Sequence, residues 1–180
     1  QVRTEVERGS TITRRLLDFS RVGTVKLVVL DPREILSAGE RMLRRLIGED
    51  IEVSVRCDGS QSRIKCDAGQ IEQAVLNLAI NARDSMPRGG KLEIRCADEE
   101  LSAGDARRLG DGLAPGPYVA ISVADSGCGM DAETCAKALE PFFTTKDVGR
   151  GTGLGLSSVA VMLDQAGGAF ELVSGVGVGT

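Results

Sequence analysis

The segment from Asp67 to Cys96 constrains the fold more than any other part of the chain. Asp67-Ala68-Gly69-Gln70 reads as a capping box, in which an acid takes an orphan N–H of the first helical turn and an amide follows three residues on. The helix it opens runs to about Met86 and is stopped by Pro87 and Gly89-Gly90; Leu92, Ile94 and Cys96 then alternate as a strand. On that helix Ile71, Val75, Leu78 and Ala82 share one face, while Gln73, Asn77, Asn81 and Asp84 share another. The apolar face must be buried, and the following strand offers a sheet to bury it against. The other face needs a reason, because solvated faces favour Lys and Glu over asparagine, a poor helix former.

The remaining elements extend this pattern. Asp31-Pro32-Arg33-Glu34 is a helix start with Ile35, Met42, Leu43, Leu46 and Ile47 as its buried face. Ile51 to Cys57 alternates as a half-buried strand, and Arg63-Ile64-Lys65-Cys66 reads as its hairpin partner around Asp58-Gly59-Ser60. Val119, Ile121 and Val123 mark another strand; Ala97 to Pro117 reads as a surface loop with a short helix at Ala103 to Leu109. A short helix follows Asp131, and a longer one runs from about Gly153 to Gln165 and ends at Gly167-Gly168. Ala169 to Val173 reads as a final strand. The sum is an α/β, two-layer sandwich of a mixed sheet and about three helices. Ahead of it, Val2, Val6, Gly9, Thr13, Leu16 and Ser20 recur at alternating four and three spacing, with Ile12, Leu17 and Phe19 broadening the stripe, which is open to two readings: a terminal helix packed on its own domain, or the face of an interhelical bundle.

Composition removes several function classes. The 180 residues, 42% hydrophobic, suit one domain with a tail. Aromatics at 3%, no tryptophan and a net charge of −4 argue against a nucleic-acid partner, which needs stacking platforms or a basic field. No apolar run reaches the roughly 20 residues that span a bilayer, and Gln1-Val2-Arg3-Thr4-Glu5 is unlike a secretion signal, so a cytoplasmic setting is expected. Five cysteines without Cys-x-x-Cys spacing, and no histidine, fit reduced thiols rather than disulfides or zinc.

The chemistry lies in four blocks. Asparagine amide oxygens on the first helix are neutral acceptors able to ligate Mg²⁺ beside phosphate, which itself brings the negative ligands. Asp125 ends a strand, and Gly127 and Gly129 after it let the backbone approach a ligand, so the carboxylate is placed to accept an amine proton such as that of adenine. Gly127 to Ala132 also fits the Gly-x-Gly-x-x-Ala dinucleotide fingerprint, but that motif needs a strand about where Lys146 to Thr152 lies, and none is expected there. Gly151-Thr152-Gly153-Leu154-Gly155-Leu156 enters a helix and can cradle phosphate on backbone N–H groups, although it is no Walker loop. Lys146 and Arg150 just upstream are placed to reach the β- and γ-phosphates; a solvated loop cation is the alternative for each.

In this order, Asn77 to Asp84, Asp125 to Met130, Glu140-Pro141-Phe142-Phe143-Thr144-Thr145-Lys146 and Gly151 to Leu156 resemble the N, first glycine, F and second glycine boxes of the GHKL ATP-binding superfamily. The likeness is greatest to the catalytic domain of bacterial sensor histidine kinases of the nitrogen-regulator-like or hybrid type. It implies the Bergerat-type fold at residues 25–180, with residues 1–24 the end of a dimerisation hairpin. It implies ATP and Mg²⁺ as cofactors, Asn81 as metal ligand, Asp125 as adenine ligand, Thr144 to Thr152 as the ATP lid, and Gly179-Thr180 beside adenine. Asn77 and Lys146 become the catalytic candidates, and Asp84 joins the nucleotide-binding set. Where ATP-hydrolysing relatives carry a glutamate this chain has Asn77, and an amide is no general base, so kinase chemistry fits better than hydrolysis. The resemblance further implies a phosphoacceptor histidine outside this chain, a response-regulator receiver domain as partner and a homodimeric parent that is free to be membrane-bound. The alternatives are a GHKL serine kinase or ATPase, and a nucleotide-responsive binding module.

Overall fold

A computed structural model describes residues 26–58, 62–110, 112–146 and 151–180. The apolar stripe of residues 2–20 and Arg150 lie outside the described residues. In chain order the elements are β1 (Val28–Leu30), α1 (Pro32–Ile47), β2 (Ile51–Asp58), β3 (Ile64–Cys66) and α2 (Ala68–Ser85). They continue with β4 (Gly90–Leu101), α3 (Ala103–Leu109), β5 (Gly116–Asp125), α4 (Ala132–Lys137) and α5 (Gly155–Gln165).

Both expected helix starts form with an aspartate N-cap. Asp31 accepts the Arg33 N–H at 2.9 Å and opens α1; Asp67 accepts the Gly69 N–H at 2.9 Å and opens α2. The two helices cover one face of a sheet whose centre is β4. Leu36, Leu43 and Ile47 from α1 join Ile71, Val75, Ala79 and Ala82 from α2 and Met86 at its C-cap, and these pack with Ile51, Val53, Leu92, Ile94 and Cys96 of the sheet. Leu92 and Ile94 are fully buried, each contributing about 1.5–3 kcal/mol of transfer free energy. The result is the expected two-layer α/β sandwich on a mixed sheet. Among the described residues no helix is long and apolar enough to cross a membrane.

Four sequence expectations are corrected. First, β3 is not the hairpin partner of β2: it pairs antiparallel with β1, Ile64 opposite Leu30, while β2 runs parallel to β4 from Ile51 opposite Gly90. Alternation alone permits either pairing, and the long buried β4 gives the apolar face of β2 far more to pack beside than a three-residue strand. Second, Ala97 to Leu101 and Gly116 to Pro117 are not loop but the outer end of the β4–β5 ladder. Asp98, Glu99 and Glu100 are exposed there, so charge does not oppose pairing. Third, the buried stripe of α1 is centred on Leu36, Leu43 and Ile47, and Met42 and Leu46 turn outward at 52% and 40% exposure. Fourth, Ala169 to Val173 forms no strand: Val173 is exposed, Glu171 is held by an ion pair to Arg108, and the chain reaches the end of β5 at Gly179 and Thr180, where the Thr180 carbonyl accepts the Asp125 N–H at 2.8 Å.

Ile94→Ala is expected to cost about 2–5 kcal/mol in urea unfolding, from lost transfer energy and the cavity left behind. Val29→Ala, at a position with 63% exposure, should shift stability by less than about 0.5–1 kcal/mol.

Candidate functional site

The polar face of α2 meets three other segments. Asn81 Oδ1 accepts a hydrogen bond from Lys146 Nζ at 3.3 Å, and the same ammonium donates to Asp84 Oδ2 at 2.7 Å. A Cβ built on Gly155 would lie 3.1 Å from Asn81 Nδ2, so a bare backbone at the start of α5 is what lets that helix come up to the amide. Asn77 is engaged elsewhere: its Oδ1 accepts from Gln73 at 2.9 Å, and its Nδ2 donates to Ser158 Oγ on α5 at 3.4 Å. Asp84 Oδ1 accepts from Arg83 at 2.9 Å. Burial alone would raise the Asp84 carboxyl, but the hydrogen bonds from Lys146 and Arg83 outweigh it and hold it below the ordinary aspartate range.

One turn further along α2 begins the second half of the site. Asp125, the last residue of β5, accepts the Gly127 N–H on Oδ1 at 2.7 Å, and the Ser85 hydroxyl lies 3.1 Å from the same oxygen. Both contacts fall on Oδ1, which fixes the carboxylate and leaves Oδ2 as a further acceptor. Gly127 has no room for a side chain, since its Cβ would sit 1.9 Å from Ser85 Oγ. Gly129, at φ +63°, passes equally close to the Gly175 carbonyl. Behind them the turn from Gly175 to Gly179 is pinned by the Ser174 and Thr180 hydroxyls, 2.8 Å apart, and Met130 N–H donates to Ser174 Oγ.

The glycine block Gly151 to Leu156 lies against the segment that carries Lys146. Phe142 N–H donates to the Gly153 carbonyl at 2.9 Å, and a Cβ on Gly151 would meet Thr144 Oγ1 at 2.4 Å. Thr152 Oγ1 accepts the Leu154 N–H at 3.4 Å. Helix α5 starts at Leu154-Gly155 without a side-chain cap, so the first N–H groups of the helix have no capping side chain at its positive end. Asn81, Asp84, Lys146 and Gly155 therefore form one cluster, and Asp125, Gly127, Gly129 and Thr180 another, with α2 as their common wall. Among the described residues no group of three His, Cys, Asp or Glu gathers, so a divalent cation here would rest on the Asn81 amide together with phosphate and water.

The contacts made by Ser85, Ser158 and Arg83 do not follow from the sequence motifs. Ser85 sits one turn beyond Asn81, and that spacing was the available sign. Ser158 lies mid-helix, where its hydroxyl also reaches the Gly155 carbonyl at 2.9 Å.

Residues 66–180 match the family model described as histidine kinase-, DNA gyrase B- and HSP90-like ATPase, and the chain belongs to that family. The sensor kinase CckA of Brucella abortus (strain 2308) is 42% identical over 99% of this chain and 19% of its own length. The sensor histidine kinase ZraS of Klebsiella oxytoca is 30% identical over 97% of this chain and 34% of its own length. The chain thus spans between about a fifth and a third of these relatives. Among solved structures, full-length ShkA in complex with AMPPNP is similar with a TM-score of 0.69 at 27% identity, covering 91% of this chain and 32% of that one.

Two outcomes follow from the geometry. Gly129→Ala should destabilise the fold measurably in chemical unfolding, because a positive φ and a backbone carbonyl both oppose the methyl, whereas Gly104→Ala on α3, where a Cβ would meet only Ser102 Oγ at an ordinary 3.5 Å, should not. A carboxyl depressed in the folded state stabilises above its unfolded value of 3.8 and loses that contribution as pH falls through the folded value. The stability gap between wild type and Asp84→Asn should therefore be present at neutral pH and close in urea titrations as the pH falls below 3.8 and through the depressed folded value.

Proposed function

We propose that residues 25–180 are the ATP- and Mg²⁺-binding catalytic domain of a two-component sensor histidine kinase, and that residues 1–24 are the end of its dimerisation hairpin. The observation that carries this reading is the pairing along α2: a neutral amide at Asn81 facing the uncapped start of α5, and one turn on a carboxylate at Asp125 fixed through one oxygen with the other left over. Such a cleft fits a purine at one end and a metal-bound triphosphate at the other. The family match and the AMPPNP complex of ShkA support a triphosphate ligand.

In this reading Asp125 Oδ2 accepts a proton of the adenine amino group, and Gly127, Gly129 and Thr180 close the backbone around the base. Asn81 Oδ1 holds Mg²⁺, which when bound neutralises phosphate charge. The N–H groups from Gly153 to Leu156 receive phosphate oxygens, and Lys146, with Arg150 beside it in sequence, faces the terminal phosphoryl group. The chain holds no histidine, so the acceptor belongs to a separate dimerisation segment, from which a receiver-domain aspartate takes the phosphoryl group in turn. Because such transfer needs positioning and charge stabilisation more than covalent help from the protein, an amide at position 77 suffices where hydrolysis would call for a base. Asn77, bonded to Gln73 and Ser158, would act by setting the distance between α2 and α5.

Calorimetry with Mg²⁺ present should detect ATP binding to the wild-type chain and lose it in Asn81→Ala. Equal affinity in the two proteins would remove the metal assignment. Incubation with a histidine-bearing hairpin and labelled ATP should then give an acid-labile phosphoprotein, and an acid-stable product would instead indicate a serine kinase.

A further inference from the structure

The notable departure on the amide face of α2 is Asp84, an acid placed where the nucleotide brings several negative charges. A bare carboxylate there would repel phosphate, and the geometry points to what offsets it. Asp84 Oδ2 takes the Lys146 ammonium at 2.7 Å across 62 residues of chain, while Oδ1 takes the Arg83 guanidinium, which also reaches the Leu46 carbonyl at the end of α1. The carboxylate is thus flanked by two cations, and its side chain and that of Lys146 keep only 27% and 33% of their exposure. The same ammonium touches Asn81 Oδ1, the oxygen assigned to the metal.

We infer that Asp84 is a positioning residue for Lys146: it tethers the ammonium beside Asn81 before nucleotide arrives, and would keep it within reach of the terminal phosphate of a bound nucleotide. This deepens the reading above and rests on it. A free lysine on a glycine-rich segment loses its rotamer and backbone freedom on binding; a tethered one has lost part of it already. The tether also places one cation on the Asn81 oxygen, so a metal held there would take the place of the ammonium rather than meet a bare acceptor.

The test uses the 180-residue chain in two stages. Without nucleotide, backbone amide exchange at Phe143 to Lys146 should speed up by about fivefold in Asp84→Asn, the effect a partly exposed ion pair supports. Unchanged exchange there would overturn the tether whether or not ATP binds. In the second stage Mg²⁺·ATP and Mg²⁺·ADP affinities are measured for wild type, Asp84→Asn, Lys146→Met and the double variant. Asp84→Asn should weaken ATP binding more than ADP binding and have no further effect in the Lys146→Met background. A loss equal for both nucleotides, or one that persists without the lysine, would mean that Asp84 acts on the fold and not through Lys146. Failure of the wild type to bind either nucleotide is a separate result: it removes the proposed function and leaves the exchange measurement to judge the ion pair.

Discussion

The structure depends on the burial of one face of α2 while the other, carrying Asn77 and Asn81, stays half-exposed. The inner face is built of Ile71, Val75, Ala79 and Ala82 with Met86 at the C-cap, Ala79 being completely inaccessible to solvent, and it packs between α1, α5 and the sheet. Small residues at positions 79 and 82 let the helix lie close to its neighbours, and that closeness turns a helical face into the wall of a cleft. Asn77, Asn81, Asp84 and Ser85 are held in place by the same contacts that build the core. Side chains on a rigid helix keep their spacing, which a site assembled from loops alone would not ensure.

Each partner that approaches this wall does so through a feature a larger residue would destroy. At Gly155 the start of α5 comes within van der Waals reach of Asn81; at Gly127 the turn after β5 presses onto Ser85; at Gly153 the backbone lies on Phe142. Phe142 itself takes φ +69°, an uncommon conformation for an aromatic residue, and its ring is 68% exposed. The crowding of bare backbone around one helix suits a large polyanion, which is gripped best by many N–H groups and few fixed negative charges. The single acid on that face is offset by Lys146 and Arg83.

The helices and the chemistry were legible in the sequence because both are local. Asp31 and Asp67 announce their helices by side-chain chemistry that acts within three residues, and the amide stripe follows from helical spacing alone. Strand partnership was not legible, since it is decided between segments far apart: β2 and β3 each alternate correctly, yet β4 captures the first and β1 the second. The charged tip of β4 reads as loop because composition cannot tell solvent on both faces of a ladder from solvent around a coil. For the site, residue types and order marked Asn81, Asp125 and the glycine block, whereas the Asn77–Ser158 bridge and the Asp84–Lys146 pair join residues 81 and 62 apart and required coordinates.

One measurement bears most directly on the central claim that α2 supplies a common wall for purine and phosphate: a crystal structure with Mg²⁺ and a non-hydrolysable ATP analogue. The expected density places the adenine amino group on Asp125 Oδ2, the metal on Asn81 Oδ1 and phosphate oxygens on the N–H groups at the start of α5. A nucleotide bound away from α2, or a metal with no contact to Asn81, would contradict it.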